Sequence, residues 1–129
     1  MKKSKSLPKL KKEAQIVFNE YIRKRDENLP CISCDQFKTS YQAGHFYPVG
    51  GYDALRFDEM NCHKECVRCN CFDESHLIGY SENLPGRIGD DEFEALKLRA
   101  NTYKENGYKW NRTELKEIIE KYKDKLKCL

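Results

Sequence analysis

Two pairs of closely spaced cysteines are the most specific chemical signal in this 129-residue chain. Each pair has the form CxxC, and 31 residues separate Cys34 of the first pair from Cys66 of the second. A CxxC turn aims two thiolates at one point, and two such turns complete the closed tetrahedral site that structural zinc prefers. The interval is longer than in a compact zinc ribbon, so a whole structural element must lie between the pairs. We predict a structural Zn²⁺ held by Cys31, Cys34, Cys66 and Cys69.

The other three cysteines, Cys62, Cys71 and Cys128, fall outside this pairing. Cys62 could compete as a ligand, although a buried thiol is the simpler role for it. The CxxC pairs also have two alternative interpretations, a redox-active dithiol or reduced, buried thiols. No apolar run is long enough for a signal sequence or a membrane span, so we predict an intracellular protein with no membrane contact. Cysteines in a reducing compartment favour metal binding over a disulfide scaffold.

The interval between the pairs contains two of the three histidines, His45 and His63, together with Asn61. The stretch YQAGHFYPVGGY predicts a strand that carries His45 and then a turn at residues 48–51. The stretch ALRFDEMN is a weaker candidate for a second short strand, because it is acidic.

Helices are predicted before and after this interval. Apolar residues recur at helical spacing over residues 9–25, with Pro8 at or just before the start. A second helix is predicted from Cys69 to about Gly79, with the third histidine, His76, on its surface.

The last third of the chain is predicted to form two further helices. Asp91 with Glu94 has the spacing of a capping box, and Asn111 with Glu114 repeats it. The stretch Asn106–Gly107 is the predicted stop between the two helices. Apolar residues line one face of each helix, and such faces are core or partner contacts.

The charge distribution is more informative than the net charge of +3. Residues 1–25 carry nine Lys and Arg against two Glu, a local charge of +7, which leaves −4 for the remainder. A basic amino-terminal arm is typical of nucleic-acid binding, although a solvated tail has the same composition. We predict that residues 1–8 are disordered. A chain with 35% charged residues buries a small core, for which a bound metal can compensate.

These features predict an α+β protein in three segments. Residues 1–30 form the basic arm and first helix, residues 31–83 a zinc-stabilised core, and residues 84–129 the carboxy-terminal helices.

A histidine on a strand, then an asparagine, then a CxxC that opens a helix is the order of residues in an HNH, or ββα-metal, nuclease finger. The motifs PCISCDQ, YQAGHF, LRFDEMNCHKECVRCN and RIGDDEFEAL occur in this order and resemble the phage NinG family, also called Rap. The resemblance runs from about Arg25 to Leu96. That family is implicated in phage recombination and cleaves branched DNA such as Holliday junctions and D-loops. The resemblance implies a phage or prophage protein that acts in the cytoplasm of a bacterial host, with a small HNH finger flanked by amino- and carboxy-terminal helices.

The resemblance also assigns roles to residues. His45 would be the base that activates water, since an imidazole titrates near neutral pH. Asn61 would accept a hydrogen bond from the other ring nitrogen and so fix the tautomer. A divalent ion, Mg²⁺ or Mn²⁺, would bridge the scissile phosphate and offset charge on the departing 3′ oxygen. The expected products have 5′-phosphate and 3′-hydroxyl ends.

The ligands of this second metal are less clearly marked. Many HNH enzymes place Asp directly before the base histidine, where this chain has Gly44. Asn70 matches the other usual ligand position. His63 is our candidate for the missing ligand, because on a strand it would face the same side as the catalytic asparagine. Asp58 or Asp53 could serve instead.

Three basic residues lie near these positions in the sequence and are candidate DNA contacts, although each could equally be solvated. They are Arg56, Lys64 and Arg68.

The leading hypothesis is therefore a metal-dependent, structure-selective DNA endonuclease that acts on branched recombination intermediates. The apolar faces of the terminal helices would serve a homodimer. One alternative is a non-catalytic zinc-finger DNA-binding protein, which would leave the pairing of His45 with Asn61 unexplained. Another is a zinc-stabilised protein–protein adaptor, which predicts no salt-sensitive DNA affinity.

Overall fold

The computed structural model describes residues 4–129, apart from the side chains of residues 105 and 106. The described chain has four α-helices and one two-stranded antiparallel sheet. In chain order the elements are α1 (Leu7–Arg25), β1 (Tyr41–His45), a 3₁₀ helix (Asp53–Leu55), β2 (Cys62–Cys66), a π-helical turn (Arg68–Phe72), α2 (His76–Ile88), α3 (Asp90–Asn106) and α4 (Arg112–Lys127).

The hairpin is the centre of the fold, because both of its faces are covered. Tyr41 pairs with Cys66 at one end of the register and His45 with Cys62 at the other. Side chains alternate between the faces of a strand. Gln42, Gly44, His63 and Glu65 therefore share one face, and Ala43, His45, Cys62 and Lys64 share the other.

The hairpin face that carries Ala43 and Cys62 packs against α1 and α4. Ala43 and Cys62 belong to a buried apolar cluster with the inner faces of both helices. The rings of Phe18 and Tyr122 meet edge to face with centroids 4.9 Å apart, which joins α1 directly to α4. The inner apolar faces of α1 and α4 thus pack against each other within the chain, and the homodimer stays a prediction.

The hairpin face that carries Gly44 and Glu65 packs against α2 and α3. Tyr80 is fully buried, and its hydroxyl donates to the Gly44 carbonyl oxygen at 2.7 Å. Leu84 and Leu96 join the two helices in a separate apolar cluster that also contains Ile32 and Leu55. The hairpin is therefore held between two helical pairs.

The terminal helices begin where local signals place them. Ser6 caps α1 by accepting a hydrogen bond from the Lys9 N–H at 3.3 Å, and Pro8 lies in the first turn. The capping box of Asn111 and Glu114 is confirmed at the start of α4. Leu7 and Pro8, predicted to be disordered, are helical, whereas residues 1–3 lie outside the described part of the chain.

Two predicted elements were placed wrongly. Residues 54–61 form turns and a short 3₁₀ segment rather than a strand, since Asp58 accepts a hydrogen bond from the Met60 N–H at 3.0 Å and closes a local turn. The helix after Cys69 begins only at His76, because a π-helical turn and the extended residue Asp73 intervene.

The predicted capping box of α3 is also absent from the described chain. This helix starts at Asp90 directly after Gly89, whose φ of 89° separates it from α2. Three acidic residues in its first turn favour the helix dipole without a side-chain cap. The end of α3 at Asn106, before Gly107 with its φ of 66°, is confirmed.

Candidate functional site

The four cysteines of the CxxC pairs come together at one end of the hairpin, as predicted. Their sulfur atoms all lie within 4.8 Å of one another. The sulfurs of Cys34 and Cys66 are 4.0 Å apart, close to the separation of about 3.8 Å that tetrahedral zinc with 2.3 Å Zn–S bonds imposes. The first pair lies in a turn that the Asp35 N–H closes on the Cys31 carbonyl at 2.8 Å. The donor set and its spacing therefore fit zinc.

Burial and backbone N–H donors shift the pKa values of these thiols in opposite directions. Burial alone raises the pKa of Cys31, yet backbone N–H donors outweigh it and the pKa is lowered. One of those donors is the Cys66 N–H, 3.2 Å from the Cys31 sulfur. Burial raises the pKa of Cys34 and of Cys69. Four thiolates at this spacing need a cation, and metal binding would release the remaining protons.

A groove of about 240 Å³ lies between the hairpin and the start of α2. His45, Asn70 and His76 are its polar lining, with Val49 and Leu77 among its apolar walls. The structure thus brings two of the predicted site residues, His45 and Asn70, to one surface cavity. His76, which we predicted to be an uninvolved helix-surface residue, lines the same cavity.

His45 is held as a neutral base. Its Nε2 lies 3.0 Å from the Arg56 carbonyl oxygen, which can only accept, so Nε2 carries the proton and Nδ1 keeps its lone pair. Nδ1 is 3.9 Å from the Cys62 sulfur, a weak contact. Burial lowers the pKa of His45. The imidazole is therefore neutral at pH 7 and can accept a proton.

Asn61 does not contact the His45 ring, so the predicted hydrogen bond between them is wrong. Its side chain is fully buried and bridges the loop between the strands. Oδ1 accepts from the Tyr47 N–H at 2.8 Å, and Nδ2 donates to the carbonyl oxygens of Tyr47 at 3.1 Å and Leu55 at 3.3 Å. Asn61 thereby closes the loop that carries the Arg56 carbonyl, and it positions His45 only indirectly.

The space beside Gly44 is occupied by a carboxylate from the neighbouring strand. A Cβ atom added at Gly44 would lie 2.2 Å from Glu65 Oε1 and 2.9 Å from Glu65 Cβ. Glu65 is fully buried, and its Oε2 lies 2.7 Å from His76 Nδ1 and also contacts the Ser33 hydroxyl. An acidic group is therefore present at this position, although it does not come from residue 44.

Sequence reasoning missed Glu65 because it placed the second strand too early. A strand at Cys62–Cys66 would have set Glu65 directly opposite Gln42, on the face shared with Gly44. Asn70 is tied to the same place, since its Nδ2 donates to Gln42 Oε1 at 2.6 Å.

His63 lies away from this groove. It is 2% exposed, and its Nδ1 is 3.3 Å from the Tyr80 hydroxyl. Burial lowers the pKa of His63 to about 3. It lines a different cavity, together with Arg25 and Arg87. The structure therefore does not place His63 beside Asn70, as a shared metal would require.

The two alternative ligands are engaged elsewhere. Asp53 forms ion pairs with Lys11 at 2.8 Å and with Arg56 at 2.6 Å. Asp58 pairs with Arg99 at 2.7 Å. Neither carboxylate lines the groove.

The three candidate DNA contacts differ in accessibility. Arg56 is bound to Asp53. Lys64 is 4% exposed, and its ammonium group donates to the Glu27 carbonyl at 3.3 Å and lies 3.9 Å from the centre of the Tyr41 ring. Arg68 is exposed. Of the three, Arg68 can reach a phosphate without breaking an existing contact. Among the described residues, no helix is both long and apolar enough to cross a membrane.

Comparison with known proteins identifies relatives of the chain. A family model described as the bacteriophage lambda NinG protein matches residues 1–129. The protein ninG of Escherichia phage 933W is 38% identical over 119 residues, that of Escherichia phage lambda 37% over 119, and that of Salmonella phage P22 39% over 122. Each match covers 92% of this chain but only 56% or 57% of the relative, so the chain spans just over half the length of these proteins. No solved structure matches.

Proposed function

The chain belongs to the bacteriophage NinG family, and from that premise we propose that it is a metal-dependent DNA endonuclease of the HNH type. The observation that carries the proposal is His45, which lines an open groove as a neutral imidazole whose Nε2 is fixed by a backbone carbonyl, so that Nδ1 is left without a proton. The preference for branched DNA rests on the resemblance.

The proposed reaction is hydrolysis of a phosphodiester. Nδ1 of His45 takes a proton from water as the water oxygen bonds to phosphorus. The bond between phosphorus and the 3′ oxygen breaks, and the leaving oxygen takes a proton from solvent. The products are 5′-phosphate and 3′-hydroxyl ends. A bound Mg²⁺ or Mn²⁺ would supply charge compensation on the phosphate and the leaving oxygen.

Two further features support this proposal. The cysteine cluster, if loaded with zinc, would hold the end of β2 against the π-helical turn (Arg68–Phe72), on which Asn70 lies. Exposed Arg68 lies in the same turn and is available to a DNA phosphate.

The test is a cleavage assay with zinc-loaded protein on a labelled four-way junction, a D-loop and a matched linear duplex. We expect cutting with Mg²⁺ or Mn²⁺ and none with EDTA. Absence of cutting with every divalent ion, alongside tight DNA binding, would replace the enzyme with a DNA-binding zinc protein. A preference for the linear duplex would refute the branched substrate alone.

His45→Ala tests the assigned base. We expect cleavage to fall by about 10²- to 10⁴-fold, the usual contribution of a general base, while DNA affinity stays within twofold. His45→Gly should regain part of its activity with added imidazole, which a purely structural loss would not. Equal cutting by His45→Ala and the unmodified protein would remove His45 from the mechanism.

A further inference from the structure

The buried carboxylate of Glu65 has its partners on one oxygen only. Oε2 contacts both the Ser33 hydroxyl and the His76 imidazole. Oε1 is also buried and has no hydrogen-bond partner among the described residues. A buried carboxylate is costly unless donors or a cation satisfy it. The unsatisfied oxygen of Glu65 is therefore a candidate ligand atom for a cation.

The backbone makes room for this oxygen. Gly44 lies next to Glu65 Oε1. A larger residue at this position would clash with that oxygen, since an added Cβ would stand 2.2 Å from it. Glycine on β1 and glutamate on β2 together place one carboxylate on the hairpin face that α2 covers. The absence of a side chain at Gly44 is therefore what allows the Glu65 carboxylate to occupy this space.

We propose that Glu65, His76 and Asn70 form a binding site for a divalent cation of the Mg²⁺ or Mn²⁺ class. Glu65 takes the place of the acidic residue absent at Gly44, and His76 replaces His63 as the histidine of the site. The presence of this site does not depend on DNA cleavage, but its catalytic role rests on the proposed function.

The contacts among these residues support a single site. Glu65 and His76 are joined at 2.7 Å. Asn70 donates to Gln42 at 2.6 Å, and Gln42 stands directly opposite Glu65 in the hairpin. The amide nitrogen of Asn70 is thus occupied by Gln42, which leaves Oδ1 as its metal-binding atom.

The donor types favour the proposed class of cation. A carboxylate and an amide oxygen suit Mg²⁺ and Mn²⁺, which take their remaining ligands from water and phosphate. An imidazole nitrogen favours Mn²⁺ over Mg²⁺. Two of the three proposed ligands, Asn70 and His76, line the groove that also contains His45.

Mn²⁺ binding, measured by electron paramagnetic resonance on the full zinc-loaded chain, tests this site. Zinc is diamagnetic, so the spectrum reports the second metal alone. We expect one Mn²⁺ per chain, with affinity lowered at least tenfold by Glu65→Gln and by His76→Ala. His45→Ala should bind Mn²⁺ normally and fail to cut DNA. Glu82→Gln, an exposed change on α2, is the matched control and should alter neither property.

The outcomes separate this site from the proposed function. Unchanged Mn²⁺ affinity in folded, zinc-loaded Glu65→Gln and His76→Ala proteins would overturn the site, even if the unmodified protein cuts DNA. Loss of Mn²⁺ binding in both variants, with no DNA cleavage by the unmodified protein, would keep the site and overturn the nuclease. If Glu65→Gln fails to fold, His76→Ala decides, since its side chain is 19% exposed at the start of a helix.

Discussion

Moving the carboxylate from β2 to β1 tests whether a side chain at position 44 and the Glu65 side chain compete for the same space. In Gly44→Asp the new Cβ would meet Glu65 Oε1 at 2.2 Å and Glu65 Cβ at 2.9 Å. The glutamate cannot swing aside freely, because Ser33 and His76 hold its other oxygen and its Cβ is fixed to the strand. Overpacking of this kind costs about 1–3 kcal/mol, and repulsion between the two carboxylates adds to it.

The double variant Gly44→Asp with Glu65→Ala should remove this conflict. We expect Gly44→Asp alone to lower the unfolding free energy by about 2 kcal/mol, which for a domain of this size corresponds to a fall in Tm of about 6–10 °C. Adding Glu65→Ala should recover about 1–3 kcal/mol relative to the sum of the single effects, because the two sites are in contact. Mn²⁺ affinity should be lost in Glu65→Ala and return in the double variant.

The assay is urea unfolding in zinc-saturated buffer, together with a Mn²⁺ titration of all four proteins in the cycle. The matched cycle with Gly44→Ala in place of Gly44→Asp separates the steric cost from the charge. Additivity of the two single effects within about 0.5 kcal/mol would refute the idea that the residues share one space. A Gly44→Asp protein as stable as the unmodified one would refute it directly.

Four further results are expected. His63 has a folded pKa of about 3, below the ordinary value of 6.5. The unfolded chain therefore takes up the proton first, and the free energy of unfolding should fall as pH drops below 6.5, by about 2 kcal/mol at pH 5. Urea unfolding of His63→Gln should lack this loss. Parallel pH profiles of the variant and the unmodified protein would contradict the assignment. Asn61→Ala should cost about 2–3 kcal/mol in the same assay, because it leaves buried backbone groups of the loop unpaired, and wild-type stability would exclude the loop-closing role. Arg68→Ala should weaken DNA binding and reduce the salt slope of log K by about 1, whereas an unchanged slope would exclude a phosphate contact. Metal analysis should find about one Zn²⁺ per chain, and Cys31→Ser should unfold the domain, as loss of far-ultraviolet circular dichroism would show; a folded, zinc-free variant would contradict a structural zinc.

Features governed by local rules were predictable from the sequence. The stripes of apolar residues and the cap at Asn111 define α1 and α4, and the CxxC spacing defines the cysteine cluster. The resemblance to HNH nucleases, and not a local rule, assigned His45 and Asn70 to one site, and both line one cavity. The other inferences have a different basis. Each of these inferences depends on residues within a turn or two of each other, or on a ligand chemistry that forces distant residues together.

The second strand was unpredictable because neither of its faces is solvated. All five residues of Cys62–Cys66 are buried, so the strand lacks the alternation of polar and apolar residues that marks a half-exposed strand. Lys64 and Glu65 look like surface residues in the sequence. Their partners, the Glu27 carbonyl and the Ser33 hydroxyl, lie more than thirty positions upstream, and only the tertiary fold brings them close. His76 was missed for the same reason, since its partner is Glu65.

The two proposed metal sites would be coupled by their positions in the chain. Glu65 directly precedes Cys66 of the cysteine cluster, and Asn70 directly follows Cys69 of the same cluster. A zinc ion bound by these cysteines would restrict the distance between the Glu65 carboxylate and the Asn70 amide, because each of the two residues is directly bonded to one of the cysteines. Catalytic geometry must be held within about 0.5 Å, which a two-stranded hairpin does not achieve without support. Removing zinc should therefore abolish Mn²⁺ binding as well as stability. The structural zinc would then determine whether the proposed catalytic cation can bind, without itself contacting DNA.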